Sequence, residues 1–420
     1  MKTKALRLYG VNDLRLEEFE LPQIQDDEIL VEVISDSVCM STYKAASLGA
    51  NHKRVPDNVA ENPTIVGHEF AGNIVEVGKK HQDRFRPGMK FAVQPALNYH
   101  GTLWSPGYSY PYCGGDMTYC IMPPEVMECG CLLEYHGDAY YKASLAEPMS
   151  CLIGGTHANY HTRPGVYHHD MDITENGKVA LLAGAGPMGL GQIAYLLNRE
   201  RHPSLFVVTD IDDARLARAE ALFPVAEAAK KGITLKYVNT GKLADPVNEL
   251  KKLSGGTGYD DVFVFAPVRP VVEQGDAILG RDGCLNFFAG PTDNKFSAML
   301  NFYEVHYGAH HIVGTSGGNT SDMIESLEMI AAGKLHPEGM ITHVGGLDAV
   351  VETTMNLPKI PGGKKLIYPH ISMELTAIDD FAKKGETDPM FKELAEICAR
   401  HNMLWSLEAE EYLLSHAKTI

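Results

Sequence analysis

At 420 residues the chain is longer than one hydrophobic core ordinarily organises, which points to two or three domains. Hydrophobic residues make up 45% of it and charged residues 22%, the balance of a globular protein, and no apolar run approaches the ~20 residues that span a bilayer. The formal net charge of −17 argues against general binding to nucleic acid or to a membrane surface, while leaving room for a local basic pocket that takes a small anion.

In chain order, residues 5–9, 14–19 and 28–34 alternate apolar and polar side chains with a period of two, the pattern of half-buried strands. Residues 63–72 lead into a further apolar run at 73–78, and 87–93 holds a turn into another strand. Short strands with Gly and Pro turns, ahead of any helical unit, predict a β-rich, barrel-like first domain. The stretch 98–146 is rich in Tyr, Gly and Pro; within it 114–122 has the pattern of a strand entered from a glycine turn, and 144–152 opens a connecting helix. Beyond residue 210, strands at 235–238, 261–265, 283–288 and 311–313 alternate with helical segments, which indicates a parallel, doubly wound sheet. A helix over 316–334 leads back toward the first domain, with strands at 340–343 and 365–368. In the last fifty residues Asp388-Pro389 is a cap and first-turn pair ahead of the stripe Met390, Leu394 and Ile397, and a second short helix follows over 406–414.

The eight cysteines, at 39, 113, 120, 129, 131, 151, 284 and 398, are scattered and form no C-x-x-C pair. No apolar secretory stretch follows Met1–Arg7, so they are expected to be reduced thiols of a cytoplasmic protein rather than a disulfide frame or a cysteine-rich structural zinc knuckle.

The most informative stretch is 179–189. A buried apolar run breaks into Gly184-Ala185-Gly186-Pro187-Met188-Gly189, and Leu190, Ile193, Leu196 and Leu197 then recur at helical spacing. Gly184 permits the turn, Gly186 lets backbone N–H groups approach a pyrophosphate, and Gly189 lets helix pack on strand. The phosphates would sit at the N-terminus of the helix that Pro187 and Met188 begin, where unpaired N–H groups and the positive dipole end converge. The next apolar run, 205–210, ends in Asp210, close to the ~20-residue spacing of the carboxylate that binds the adenosine ribose. Asp210 would repel a 2′-phosphate, so NAD(H) is preferred and NADP(H) remains possible.

Cys39 and His68-Glu69 lie at turn-like ends of apolar strands, and Glu147 begins the connecting helix. Thiolate, imidazole and carboxylate are ligands that zinc accepts. Singly, each has an ordinary reading as a buried free cysteine, a capping histidine or a helix-start glutamate, and spacing alone does not bring them together.

Taken together, the Cys39 segment, Gly67-His68-Glu69, Glu147-Pro148, the glycine motif, Asp210 and Ile341-Thr342-His343 resemble the zinc-dependent medium-chain dehydrogenases, the alcohol and polyol dehydrogenase family, over about residues 1–370. The resemblance implies an α/β chain. It would comprise a β-rich GroES-like catalytic zinc domain (1–154 and 315–370), a doubly wound Rossmann dinucleotide domain (155–314) and a helical C-terminal extension (371–420). It further implies that Cys39, His68 and Glu147 ligate one catalytic zinc ion. Glu69 is then either a fourth ligand or a carboxylate behind the ligands that exchanges with water. Glu147, where alcohol dehydrogenases carry cysteine, looks like the polyol branch.

Two departures stand out. The four-cysteine lobe that binds a structural zinc ion in the family is missing. The motif after the first ligand usually reads Cys-Gly-Ser/Thr-Asp with a histidine five after the cysteine; here it is Cys39-Met40-Ser41-Thr42 with Lys44. Ser41 keeps the hydroxyl that passes the substrate proton, while Lys44 either ends that relay or binds an anion.

The segments 145–151, 154–162, 208–212 and 404–406 look like the subgroup of L-sorbose 1-phosphate reductases, implying reduction of that ketose phosphate to D-glucitol 6-phosphate. Candidate phosphate-binding residues are Lys44, His157, His161 and Arg163, whereas the pairs His168-His169 and His310-His311 are expected at the surface or an interface. The family implies a homodimer or homotetramer, a small-molecule substrate, and neither nucleic-acid nor membrane partners. The alternatives are a dehydrogenase of an unphosphorylated polyol and a non-enzymatic dinucleotide-binding protein.

Overall fold

Strand Ile29–Val38 is buried at eight of its ten positions, and its neighbours explain why. It pairs with Phe70–Val77, Tyr119–Met122 and Lys364–Tyr368, so no edge is left for polar side chains. The computed structural model describes residues 1–420 and extends this sheet to eight strands, with Ile341–Gly346 and Thr376–Ala377 beyond Lys364–Tyr368, and Lys90–Val93 and Leu132–Glu134 beyond Phe70–Val77. A second, three-stranded sheet is centred on Lys2–Gly10, flanked by Asp13–Glu20 and Thr64–Ile65. The predominantly antiparallel strands enclose a core in which Phe70 meets Phe91 edge to face at 6.1 Å among Val31, Val33, Ile121 and Leu132. Each such side chain contributes on the order of 2 kcal/mol by leaving water. Within 114–122 the strand is confined to Tyr119–Met122, because the preceding glycines bond back to a neighbouring loop, Gly115 N–H donating to the Gly67 carbonyl at 2.7 Å.

The chain divides into two units. The first holds residues 1–148, 319–333 and 337–420, and the second 149–318 and 334–336. The second contains the six-stranded sheet, in spatial order Thr234–Asn239, Leu205–Asp210, Lys178–Leu182, Tyr259–Val264, Leu279–Phe287 and His311–Val313, all parallel. Its central strands are buried nearly throughout, which explains their continuous apolar runs. The return helix is shorter than its periodicity suggests, Thr320–Ala331, because Asn319 and Asp322 form a capping box that fixes its start. No helix is long and apolar enough to cross a membrane.

The last fifty residues lie in the first unit. Asp388 caps helix Pro389–Arg400, as its sequence signal indicates, and Ser406 caps Leu407–His416. Phe391, Leu394, Ile397, Trp405 and Leu413 share a core with Tyr368, Phe381 and Leu366. At its centre Glu410, 1% exposed, accepts the backbone N–H groups of Tyr140 and Tyr141 at 2.7 and 2.8 Å and the Tyr368 hydroxyl at 2.9 Å. The Trp405 indole N–H donates to that same hydroxyl at 2.8 Å. The C-terminal helix therefore caps helix Tyr140–Ser144, which runs directly into the helix carrying Glu147.

Removing the Glu410 carboxyl leaves buried donors unpaired, so Glu410→Ala is expected to cost about 3 kcal/mol in denaturant unfolding. Burial pushes Glu410 from 4.5 up to about 7, against the pull of its hydrogen-bond donors. Between these values the folded chain holds a proton that the unfolded chain has released. The group's contribution is complete below the unfolded value and is lost as pH rises through the folded one. Glu410→Gln should flatten that part of the stability–pH profile.

Candidate metal and dinucleotide sites

Cys39 ends the central strand and begins helix Met40–Leu48, and His68 and Glu69 directly precede strand Phe70–Val77. Antiparallel pairing of Asp36 with Phe70 brings the two strand ends side by side. One ligand atom each from Cys39, His68 and Glu69 then lies within 4.8 Å of the others. Glu147 stands outside this triplet, yet it is buried and feels all three residues; burial, with Glu69 and Cys39, pushes its carboxyl up to about 7 against the pull of His68. Burial also raises the Cys39 thiol and lowers the His68 imidazole. A thiol, an imidazole and two carboxylates gathered largely out of water, with burial favouring the neutral imidazole, are a donor set that fits zinc.

The partners around the cluster are specific. Ser41 Oγ donates to Cys39 Sγ at 3.0 Å and is 3.3 Å from His68 Nε2, while Thr42 Oγ1 meets His68 Nδ1 at 3.3 Å and fixes the ring. Glu69 accepts from the Ser37 hydroxyl and from the Lys364 ammonium, whose Nζ lies 2.6 Å from Oε2. Burial would raise the Glu69 carboxyl, but Lys364 and His68 outweigh it and hold the group below its ordinary value. Behind Glu69, Asp36 accepts the Glu69 N–H at 3.1 Å and adjoins Asp116. Both of these aspartates are pushed up by burial, Asp116 to about 7.

Sequence reasoning missed Lys364, Ser37, Asp36, Asp116 and Tyr108, whose hydroxyl is 3.4 Å from His68 Nε2. Lys364 had a signal: two consecutive lysines in a strand buried at all five positions. Of the phosphate-binding candidates, three are engaged elsewhere, in the second unit. His161 bridges the Asp282 carbonyl at 2.9 Å and the Asp261 carboxylate at 3.1 Å, Arg163 pairs with Asp170 at 2.7 Å, and His157 is 3.3 Å from the Tyr195 hydroxyl. Lys44 is half-buried on helix Met40–Leu48 in the first unit. The expectation of surface positions fails for His310, which is buried beside Asp276, and His311 bonds Asp282 at 2.7 Å.

In the second unit the strand Lys178–Leu182 turns through the glycines into helix Pro187–Asn198, with Gly186 at its N-cap and Pro187 and Met188 in its first turn. A Cβ on Gly189 would lie 2.0 Å from the Gly184 carbonyl oxygen, so helix and turn are in direct backbone contact. A Cβ on Gly186 would meet nothing within 4 Å, which leaves open the approach a pyrophosphate requires. Asp210 ends its strand, and its carboxylate accepts the N–H groups of Ile211 at 2.8 Å and Asp212 at 3.2 Å, with Ala185 N–H at 3.4 Å. The acid is thereby tied to the glycine turn.

A buried sulfur–imidazole–carboxylate cluster in one unit and a glycine-turn dinucleotide fold in the other define a metal-dependent dehydrogenase, and the comparisons agree. The alcohol dehydrogenase GroES-like domain matches residues 25–164 and the zinc-binding dehydrogenase domain residues 189–332. The chain belongs to the zinc-dependent medium-chain dehydrogenase family, the oxidoreductases that work with zinc and a nicotinamide dinucleotide. It is 56% identical to a mannitol-1-phosphate 5-dehydrogenase of Aliivibrio fischeri over 98% of this chain and 97% of that protein. It is 48% identical to an L-sorbose 1-phosphate reductase of Klebsiella pneumoniae over 100% of this chain and 98% of that one. Among solved structures, 2R,3R-butanediol dehydrogenase from Bacillus subtilis shares the fold with a TM-score of 0.71 at 20% identity, covering 87% of this chain and 99% of that chain.

The two glycines separate folding from binding. Gly189→Ala forces backbone apart and should lower the melting temperature as well as dinucleotide affinity. Gly186→Ala should leave the melting temperature of the free protein within about 2 °C while weakening NADH binding at least about tenfold, measured by fluorescence titration.

Proposed function

We propose that the protein interconverts a hexitol phosphate and its ketose phosphate, using one catalytic zinc ion and, by preference, NAD(H). The observation that carries this reading is the near-complete alignment with two sugar-phosphate enzymes at 48–56% identity, combined with the buried Cys39–His68–Glu69 cluster. Cys39, His68 and Glu147 would hold the zinc ion. Glu69, engaged by Lys364 and Ser37, is the carboxylate behind them rather than a permanent ligand. When bound, the zinc ion supplies Lewis acidity to the substrate oxygen and the dinucleotide supplies or accepts the hydride. Ser41, within 3.3 Å of both Cys39 Sγ and His68 Nε2, carries the hydroxyl that takes the alcohol proton on oxidation and returns it on reduction. Preference for NAD(H) rests on Asp210, whose charge disfavours a 2′-phosphate at the ribose position.

L-sorbose 1-phosphate, reduced to D-glucitol 6-phosphate, is one candidate pair. The 56% identical relative supports a second, in which mannitol 1-phosphate is oxidised at carbon 5 to fructose 6-phosphate. NADH oxidation by zinc-loaded protein should be compared for L-sorbose 1-phosphate, fructose 6-phosphate, L-sorbose and D-fructose. A kcat/KM at least about a hundredfold higher for a phosphorylated ketose is expected. Equal turnover of the free sugars would instead make this a dehydrogenase of unphosphorylated polyols.

A further inference from the structure

The helix that begins at Cys39 ends near residue 48, and the loop after it presents His52-Lys53-Arg54. Two of them, His52 and Arg54, are tied to the metal cluster through one buried side chain, Tyr108. The His52 ring stacks on the Tyr108 ring at 5.5 Å and 10°, and the Arg54 guanidinium lies 5.7 Å from the same ring. Tyr108 in turn meets the His68 ring at 4.9 Å and points its hydroxyl at His68 Nε2. Lys44 joins from the helix side.

The electrostatics agree with the geometry. His52 is driven down to about 4, first by burial and then by Arg54, Lys53 and Lys44, so the charged groups acting on it most are cationic. The field of Arg54 reaches His68 as well. A protein of net charge −17 thus concentrates positive charge beside its metal cluster. The Arg54 backbone N–H is 3.4 Å from His52 Nδ1, which leaves Nε2 as the protonated nitrogen of a neutral ring and a hydrogen-bond donor.

We propose that Lys44, His52, Lys53 and Arg54 form the subsite for the substrate's phosphate group, with Tyr108 as the wall that sets its position relative to the metal ligands. This rests on the sugar-phosphate reading above and assigns the residues that enforce it. Arg54 offers a planar fork suited to two phosphate oxygens, and the lysines supply point charges. The guanidinium is steadied against an aromatic face, which limits the rotamer freedom lost on binding.

The test is the ratio of kcat/KM for the preferred phosphorylated ketose to that for its free ketose, in wild type, Arg54→Ala, Arg54→Lys and Lys53→Ala holoenzyme, with KM for NADH measured in parallel. Arg54→Ala should reduce the ratio about a hundredfold, mainly through KM of the phosphorylated ketose, Lys53→Ala should reduce it about tenfold, and Arg54→Lys should restore part of the loss. Inorganic phosphate should compete with the phosphorylated ketose in wild type and lose potency in Arg54→Ala. An unchanged ratio in Arg54→Ala, or a loss shared equally by both ketoses, would overturn the subsite. A rise in the KM of NADH with the ratio intact would assign the cations to the dinucleotide's phosphates and overturn it too. A wild-type ratio near one would instead sink the sugar-phosphate reading itself, which keeps the two failures apart.

Discussion

The buried pair between Lys364 and Glu69 is the interaction on which the catalytic unit depends. Moving either ion from water into the interior costs several kcal/mol, and the partner, with the Ser37 hydroxyl, offsets much of that cost. The two residues are 295 apart in sequence, so the pair ties a late strand to the end of the Phe70–Val77 strand. Strand pairing of Lys365 with Val38 and of Asp36 with Phe70 places both beside Cys39. The same pair holds the Glu69 carboxyl below its ordinary value beside the His68 imidazole and the Cys39 thiol.

Around that pair the site is arranged in layers. Asp36 holds the Glu69 backbone from behind, Thr42 fixes the His68 ring, and Ser41 lies in front. Tyr108 then stands between His68 and the cationic loop. The C-terminal helix enters the same unit at a distance, with Glu410 capping the short helix ahead of Glu147.

Much of the second unit was legible because local chemistry dictates it. Gly189 has no room for a side chain, Gly186 faces open space, and the strand ending at Asp210 is continuously apolar; each leaves a mark in a single short stretch. The helix cap at Asp388 was legible for the same reason. The metal cluster was not readable from spacing, since Cys39, His68 and Glu69 converge only through sheet pairing, and family resemblance had to supply the kinship of Glu147 with them. Lys364 and Tyr108 left weaker marks: a lysine pair in an apolar strand gains meaning once Glu69 is seen beside it, and one tyrosine in a tyrosine-rich stretch gains none until its ring contacts are known. His161 and Arg163 misled because cations near a predicted site look available until their aspartate partners, Asp261, Asp282 and Asp170, are placed.

The most direct measurement is metal content alongside turnover, on wild type and His68→Ala purified under identical conditions, with circular dichroism to verify folding. The account predicts about one equivalent of zinc per wild-type chain, removable by chelator with loss of NADH oxidation and restored on adding zinc, and a folded His68→Ala protein that has lost both metal and turnover. Full turnover in metal-free wild type, or a folded His68→Ala protein that keeps its zinc and its rate, would contradict it.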